Sequence, residues 1–197
     1  MATLAVVYHS GFGHTKALAE HVAKGAASVA GVTAKVISVD ELPPPDKDRK
    51  LGGRWADVNA ADGIIFGSPT YMGSVSAKFK EFMENSSGIW FSQGWRDKIA
   101  AGFTNSGGLS GDKLQSLTTM AVFAGQHSMI WVTQGVVPSA MTAGDDRNLN
   151  RLGAWLGAMA QSDNAGPDVT PPQADRLTHE VFGKRVAEAT QRWLGAK

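Results

Sequence analysis

Between residues 6 and 26 the chain reads VVYHSGFGHTKALAEHVAKGA, and its chemistry is concentrated in one turn, Ser10-Gly11-Phe12-Gly13-His14-Thr15. The apolar run before the turn reads as a strand, and the spacing of Leu18, Ala19, Val22 and Ala26 after it reads as a helix. A glycine-bearing turn from strand to helix favours an anion, because a helix N-terminus presents unpaired N–H groups and a partial positive charge. Ser10 and Thr15 add hydroxyl donors, and the glycines let the backbone fold its N–H groups inward. Two familiar nucleotide signatures are missing. No Gly-Lys-Ser/Thr follows, as a nucleoside-triphosphatase loop requires, and Lys16 stands where a dinucleotide fingerprint needs its third glycine.

Two later stretches carry residue types suited to a flat ring. In GSPTYMGSVSAKFKEFM, Pro69 fixes the backbone, and Thr70, Tyr71, Met72 and Gly73 offer an aromatic and a thioether beside a glycine. In TNSGG, Thr104, Asn105, Ser106 and Gly107 can turn backbone and side-chain donors toward ring heteroatoms. His127 falls between a helix and a strand and is expected at the same end of the molecule. Trp90 lies in the aromatic stretch SSGIWFSQGW.

These residues need a frame, and the chain supplies alternating strand and helix patterns. Strands are expected at 4–8, 32–39, 62–68, 98–103 and 129–132, and helices at 15–29, 75–83, 113–124, 149–160 and 174–194. Such alternation predicts an α/β fold, a three-layer sandwich with helices on both faces of a five-stranded parallel sheet. The order 2-1-3-4-5 places the ligand in a crevice beyond the carboxyl ends of the strands.

Composition narrows the classes. The 197 residues suit a single domain, 1–197, with a C-terminal helical extension. Lys and Arg number 19 against 18 for Asp and Glu, a balance that argues against nucleic acid or a membrane surface as partner. The absence of cysteine excludes disulfides and thiolate chemistry, and no His/Asp/Glu spacing suggests a metal site. With no signal peptide and no apolar run of spanning length, a cytoplasmic protein is expected.

The set SGFGHTKALAEHVAKGA, GSPTYMGSVSAKFKEFME, GIW and TNSGG resembles the flavodoxin-like NAD(P)H:quinone oxidoreductases of the WrbA family over roughly the first 140 residues. The resemblance implies FMN, with its phosphate held by Ser10, Phe12, Gly13, His14 and Thr15. It implies the isoalloxazine ring against Pro69, Thr70, Tyr71, Met72 and Gly73, with Thr104, Asn105, Ser106 and Gly107 on the other side. It further implies His127 beside the flavin as a catalytic and substrate-facing residue. Trp90 is implied to reach a neighbouring subunit's site in a homo-oligomer, dimer or tetramer. The chain departs from the family in carrying Tyr71 where an arginine is frequent, and DDRNLNRLGAWLGAMAQS is more similar to NADPH-dependent FMN-reductase-type flavoproteins.

The expected activity is electron transfer from NAD(P)H to quinones. A flavodoxin without a substrate of its own is the alternative, opposed by the formal net charge of +1, since such carriers are usually acidic around the flavin. A nucleotide-binding module using Asp40 on a ribose is a third reading, weakened by the missing glycine.

Overall fold

The computed structural model describes residues 1–142, 144 and 146–195, so Asp145, which opens the DDRNL segment, lies outside the described residues. Its sheet is built from β1 (Ala2–Tyr8), β2 (Val32–Ser38), β3 (Gly63–Tyr71), β4 (Ser74–Val75), β5 (Ile99–Ser106), β6 (Ile130–Trp131) and β7 (Ala158–Gln161). The main path runs β2-β1-β3-β5-β6, all parallel, which is the expected doubly wound order. The helices are α1 (His14–Ala27), α2 (Trp55–Ala60), α3 (Ala77–Asn85), α4 (Ser87–Phe91), α5 (Lys113–Gln126) and α6 (Gln173–Gly195).

Both faces of the central strands are buried, which is why β1 and β3 read as continuous apolar runs. On one face Trp55, Phe66, Phe79, Phe82, Trp95 and Phe123 form an aromatic core beneath α2, α3 and α5. Each fully buried apolar side chain of this size contributes about 1.5–3 kcal/mol. On the other face Leu18 and Val22 of α1 meet Phe182 and Val186 of α6. Those two helices touch backbone to backbone: a Cβ on Gly183 would sit 2.0 Å from the Val22 carbonyl oxygen. The C-terminal helix is therefore part of the sandwich.

The edge of the sheet departs from the sequence reading. The expected fifth strand, 129–132, shrinks to β6, which pairs only with Ile99 and Ala100. Beyond Val132, whose N–H still donates to the Ala100 carbonyl, the chain leaves the sheet and later returns as β7 beside Phe103–Ser106. One edge is thus shared by two short strands. The helix expected over 149–160 does not form. Asn148, Asn150 and Gly153 all adopt positive φ (52°, 47° and 66°), which no α-helix can hold, and the segment ends as β7. Two strand ends also run further than expected. Pro69–Tyr71 extend β3, and Thr104–Ser106 extend β5, so residues read as loops are held by the sheet.

Candidate functional site

A cleft of about 490 Å³ opens at the carboxyl ends of β1, β3, β5 and β7. Its first wall is the turn after β1. Gly13 adopts φ 88° and precedes α1, and no side chain caps the helix; the first turn holds no acidic residue. Gly13 is required by space as well as by φ, because a Cβ there would lie 2.8 Å from Cγ of Pro167. The leading N–H groups of α1 are thereby left without a capping side chain, an arrangement suited to an anion. Ser10 Oγ is buried without a hydrogen-bond partner, and Thr15 is buried beside it on α1. A buried hydroxyl left unpaired is costly, and a phosphate oxygen at this position would satisfy it.

The second wall comes from the end of β3. Pro69, Thr70 and Tyr71 line the cleft, and the Tyr71 ring stands edge-on to Phe12 at 6.4 Å. Burial raises the Tyr71 phenol above its ordinary range, and a hydrogen bond with the Gly11 backbone partly offsets this. Phe12 is mostly exposed, so the pair forms an apolar rim. Met72 and Gly73 (φ 48° and 83°) are the two central residues of the β3–β4 hairpin, in the conformation such tight hairpins prefer. Met72 is fully exposed at the tip, so neither residue lines the cleft, contrary to expectation.

The third wall is the end of β5. Asn105, Ser106 and Gly107 line the cleft as expected, whereas Thr104 is wholly buried. The Thr104 hydroxyl donates to the Ser68 carbonyl (2.7 Å) and meets the Thr70 hydroxyl at 2.8 Å, and Thr70 in turn meets Ser116 at 2.7 Å. Thr104 braces the wall from behind and does not contact the cavity.

A fourth wall was not read from the sequence. Residues 162–166, after β7, line the cleft through Ser162, Asp163, Asn164, Ala165 and Gly166. His14 Nε2 donates to the Ala165 carbonyl at 2.9 Å, and Ser162 Oγ donates to Asn105 at 2.8 Å. The imidazole of His14 thus fastens the first wall to the fourth. Behind them Arg151 grips Asp175 through two bonds of 2.7 and 2.9 Å. Asp175 also accepts from the Gln161 backbone, and the Gln161 side chain donates to the Gly107 carbonyl. The polar run SDNAG after a small-residue strand was the available signal for this wall.

His127 and Trp90 lie elsewhere. α5 returns antiparallel to β5, so His127, the residue that caps its C-terminus, sits at the amino ends of the strands, next to the backbone pairing of Asp97 with Ser128. The expectation of His127 at the crevice is corrected on this ground. His127 is buried, bonded through Nε2 to Ser86 Oγ (3.0 Å), and packed on Trp95 at 4.5 Å and Phe123 at 4.8 Å. Burial pulls its imidazole down to about 4. Trp90 on α4 lines a separate groove with His127, between α3, α4 and α5.

The sheet order, the anion-binding turn and the four-walled cleft define the class, a flavodoxin-like FMN-binding oxidoreductase. The chain belongs to the NADPH-dependent FMN reductase family, whose profile matches residues 9–143. It is 39% identical over 192 residues to flavodoxin FldP of Pseudomonas aeruginosa, covering 97% of this chain and 98% of that protein. It is 35% identical over 142 residues to quinone-oxidoreductase QR2 of Triphysaria versicolor, covering 66% and 68%. The crystal structure of a WrbA-like flavodoxin from Agrobacterium tumefaciens superimposes with a TM-score of 0.71 at 37% identity, covering 98% of this chain and 99% of that one. FMN is the cofactor, and the unpaired Ser10 hydroxyl beside the open helix N-terminus fits its phosphate. No helix among the described residues is long and apolar enough to cross a membrane.

Proposed function

We propose that the protein oxidises NAD(P)H and reduces quinones at one FMN. The carrying observation is the apolar rim of Phe12 and Tyr71 on the FMN cleft, together with the likeness to a quinone-oxidoreductase. Bound FMN supplies a ring that accepts hydride and passes on electrons, which is why no side-chain nucleophile is needed. The chain binds and orients. Ser10, Thr15 and the α1 N-terminus hold the phosphate, while Pro69, Tyr71, Asn105 and Ser106 flank the ring. Phe12 and Tyr71 offer a flat, partly exposed surface to which a nicotinamide and then a quinone can stack in turn.

Trp90 and His127 serve such a site only from another copy of the chain, because within one chain they lie at the opposite end of the sheet. Their proposed substrate role therefore goes with a homo-oligomer. The likeness to a protein named as a flavodoxin supports a second reading, an electron carrier with a protein partner. Steady-state assays with NADH or NADPH and benzoquinone separate the two. Rapid turnover with parallel double-reciprocal lines is expected, and an FMN-loaded protein that oxidises neither nicotinamide would establish the carrier.

A further inference from the structure

Lys113 begins α5 directly behind the third wall, and its side chain is almost wholly buried. Its ammonium donates to Ser106 Oγ at 2.8 Å and to the Gly108 carbonyl at 2.6 Å, two neutral acceptors. Asp175 on α6 and Arg151 are the charged groups that act on it, with opposite sign, and Asp175 is already gripped by Arg151. The position is a poor one for a cation. Burial disfavours the charge, and the positive end of the α5 dipole adds to the cost. Burial brings the Lys113 amine down to about 8. A buried charge without its own counter-ion is stabilised by negative charge placed nearby, and Ser106, its direct partner, lines the cleft.

We propose that Lys113 is a positioning residue whose buried positive charge, held directly behind Ser106, favours the reduced over the oxidised form of the bound FMN. The inference rests on FMN occupying this cleft. Reduction by an external donor such as dithionite adds two electrons and takes one proton from water, leaving the ring with one more negative charge than before. A cation held one residue behind the cavity stabilises that charge without contacting the ring.

The test compares the affinities of apoprotein for oxidised and for dithionite-reduced FMN, anaerobically, in wild type and Lys113→Met. At pH 7.5 the variant is expected to lose about tenfold of the wild-type preference for reduced FMN, or about 30 mV for a two-electron couple. Affinity for oxidised FMN should change little, because Ser106 keeps its own bond to Gly108. In wild type alone the preference should decline from pH 7.5 to 9.5 as the ammonium loses its proton, and in the variant it should stay flat. An equal preference in both proteins at pH 7.5 overturns the proposal. So does a flat wild-type profile, which needs no variant to fold. A wild-type apoprotein that takes up no FMN would instead overturn the cofactor assignment.

Discussion

His14 and Ala165 stand 151 positions apart, and the imidazole Nε2 donates to the Ala165 carbonyl over 2.9 Å. A carbonyl only accepts, so Nε2 must carry the proton, and the ring's task here is to close the cleft. The two halves of the cleft are thereby joined: the turn after β1 and the loop after β7.

Replacing His14 with Ala should release the 162–166 loop while leaving the α1 start in place. A hydrogen bond of this kind contributes about 0.5–1.5 kcal/mol, so FMN affinity should fall roughly three- to tenfold. Amide exchange across 162–166 should rise in the apoprotein. Unchanged exchange there would show that Ser162 and Asn105 hold the loop without help from His14.

His127 sets an acid limit. Burial lowers its imidazole to about 4, whereas in the unfolded chain it titrates near 6.5. The folded state therefore refuses a proton that the unfolded chain accepts. Stability is full above about 6.5 and is lost as pH falls toward 4. His127→Phe keeps the packing on Trp95 and Phe123 and removes the proton site. Between pH 7 and 5 the wild type should lose about 2 kcal/mol more than this variant in urea unfolding. His179, also lowered to about 4 by burial, should leave both proteins a common residual slope.

Much of the frame was legible because burial on both faces writes strands as apolar runs, as in Ile64–Phe66. The first turn was legible because its glycines and hydroxyls interrupt two strong periodicities. The edge was not. Leu149, Leu152 and Leu156 fall at near-helical spacing, but Asn148, Asn150 and Gly153 bend the chain through positive φ, and the small residues Ala158 and Ala160 pair as β7. The 162–166 wall went unread for the same reason, since it depends on where β7 lies. His127 was misplaced although its position between a helix and the next parallel strand already puts it at the amino ends of the strands, away from the crevice. Lys113 was hidden in a helix start, where a lysine ordinarily points to solvent.

The α4 segment should mediate self-association. Trp90 and Phe91 are 46% and 84% exposed on a helix of five residues, an apolar projection that a lone chain would show to water. Sedimentation at micromolar concentration should find a dimer or tetramer, and Phe91→Asp should shift it toward monomer and raise the KM for benzoquinone. A wild-type monomer would remove both the oligomer and the proposed substrate role of Trp90 and His127.

The sharpest test of the cleft lies with Ser10. Its hydroxyl is buried and unpartnered, so removing it from the apoprotein costs no hydrogen bond. Ser10→Ala should leave apoprotein stability unchanged or slightly raised, which is unusual for a buried polar truncation. On the proposed reading the same hydroxyl donates to the charged phosphate of bound FMN, a bond worth about 1.5–3 kcal/mol. FMN affinity should therefore fall roughly ten- to a hundredfold, and Thr15→Ala should behave alike. Riboflavin has no phosphate, so its weaker binding should be nearly indifferent to either change. Fluorescence titration of wild-type and variant apoproteins with both flavins reads this directly. If a variant weakened FMN and riboflavin equally, the hydroxyl would be shaping the turn or the helix start, and the anion would have to be held by the α1 backbone alone.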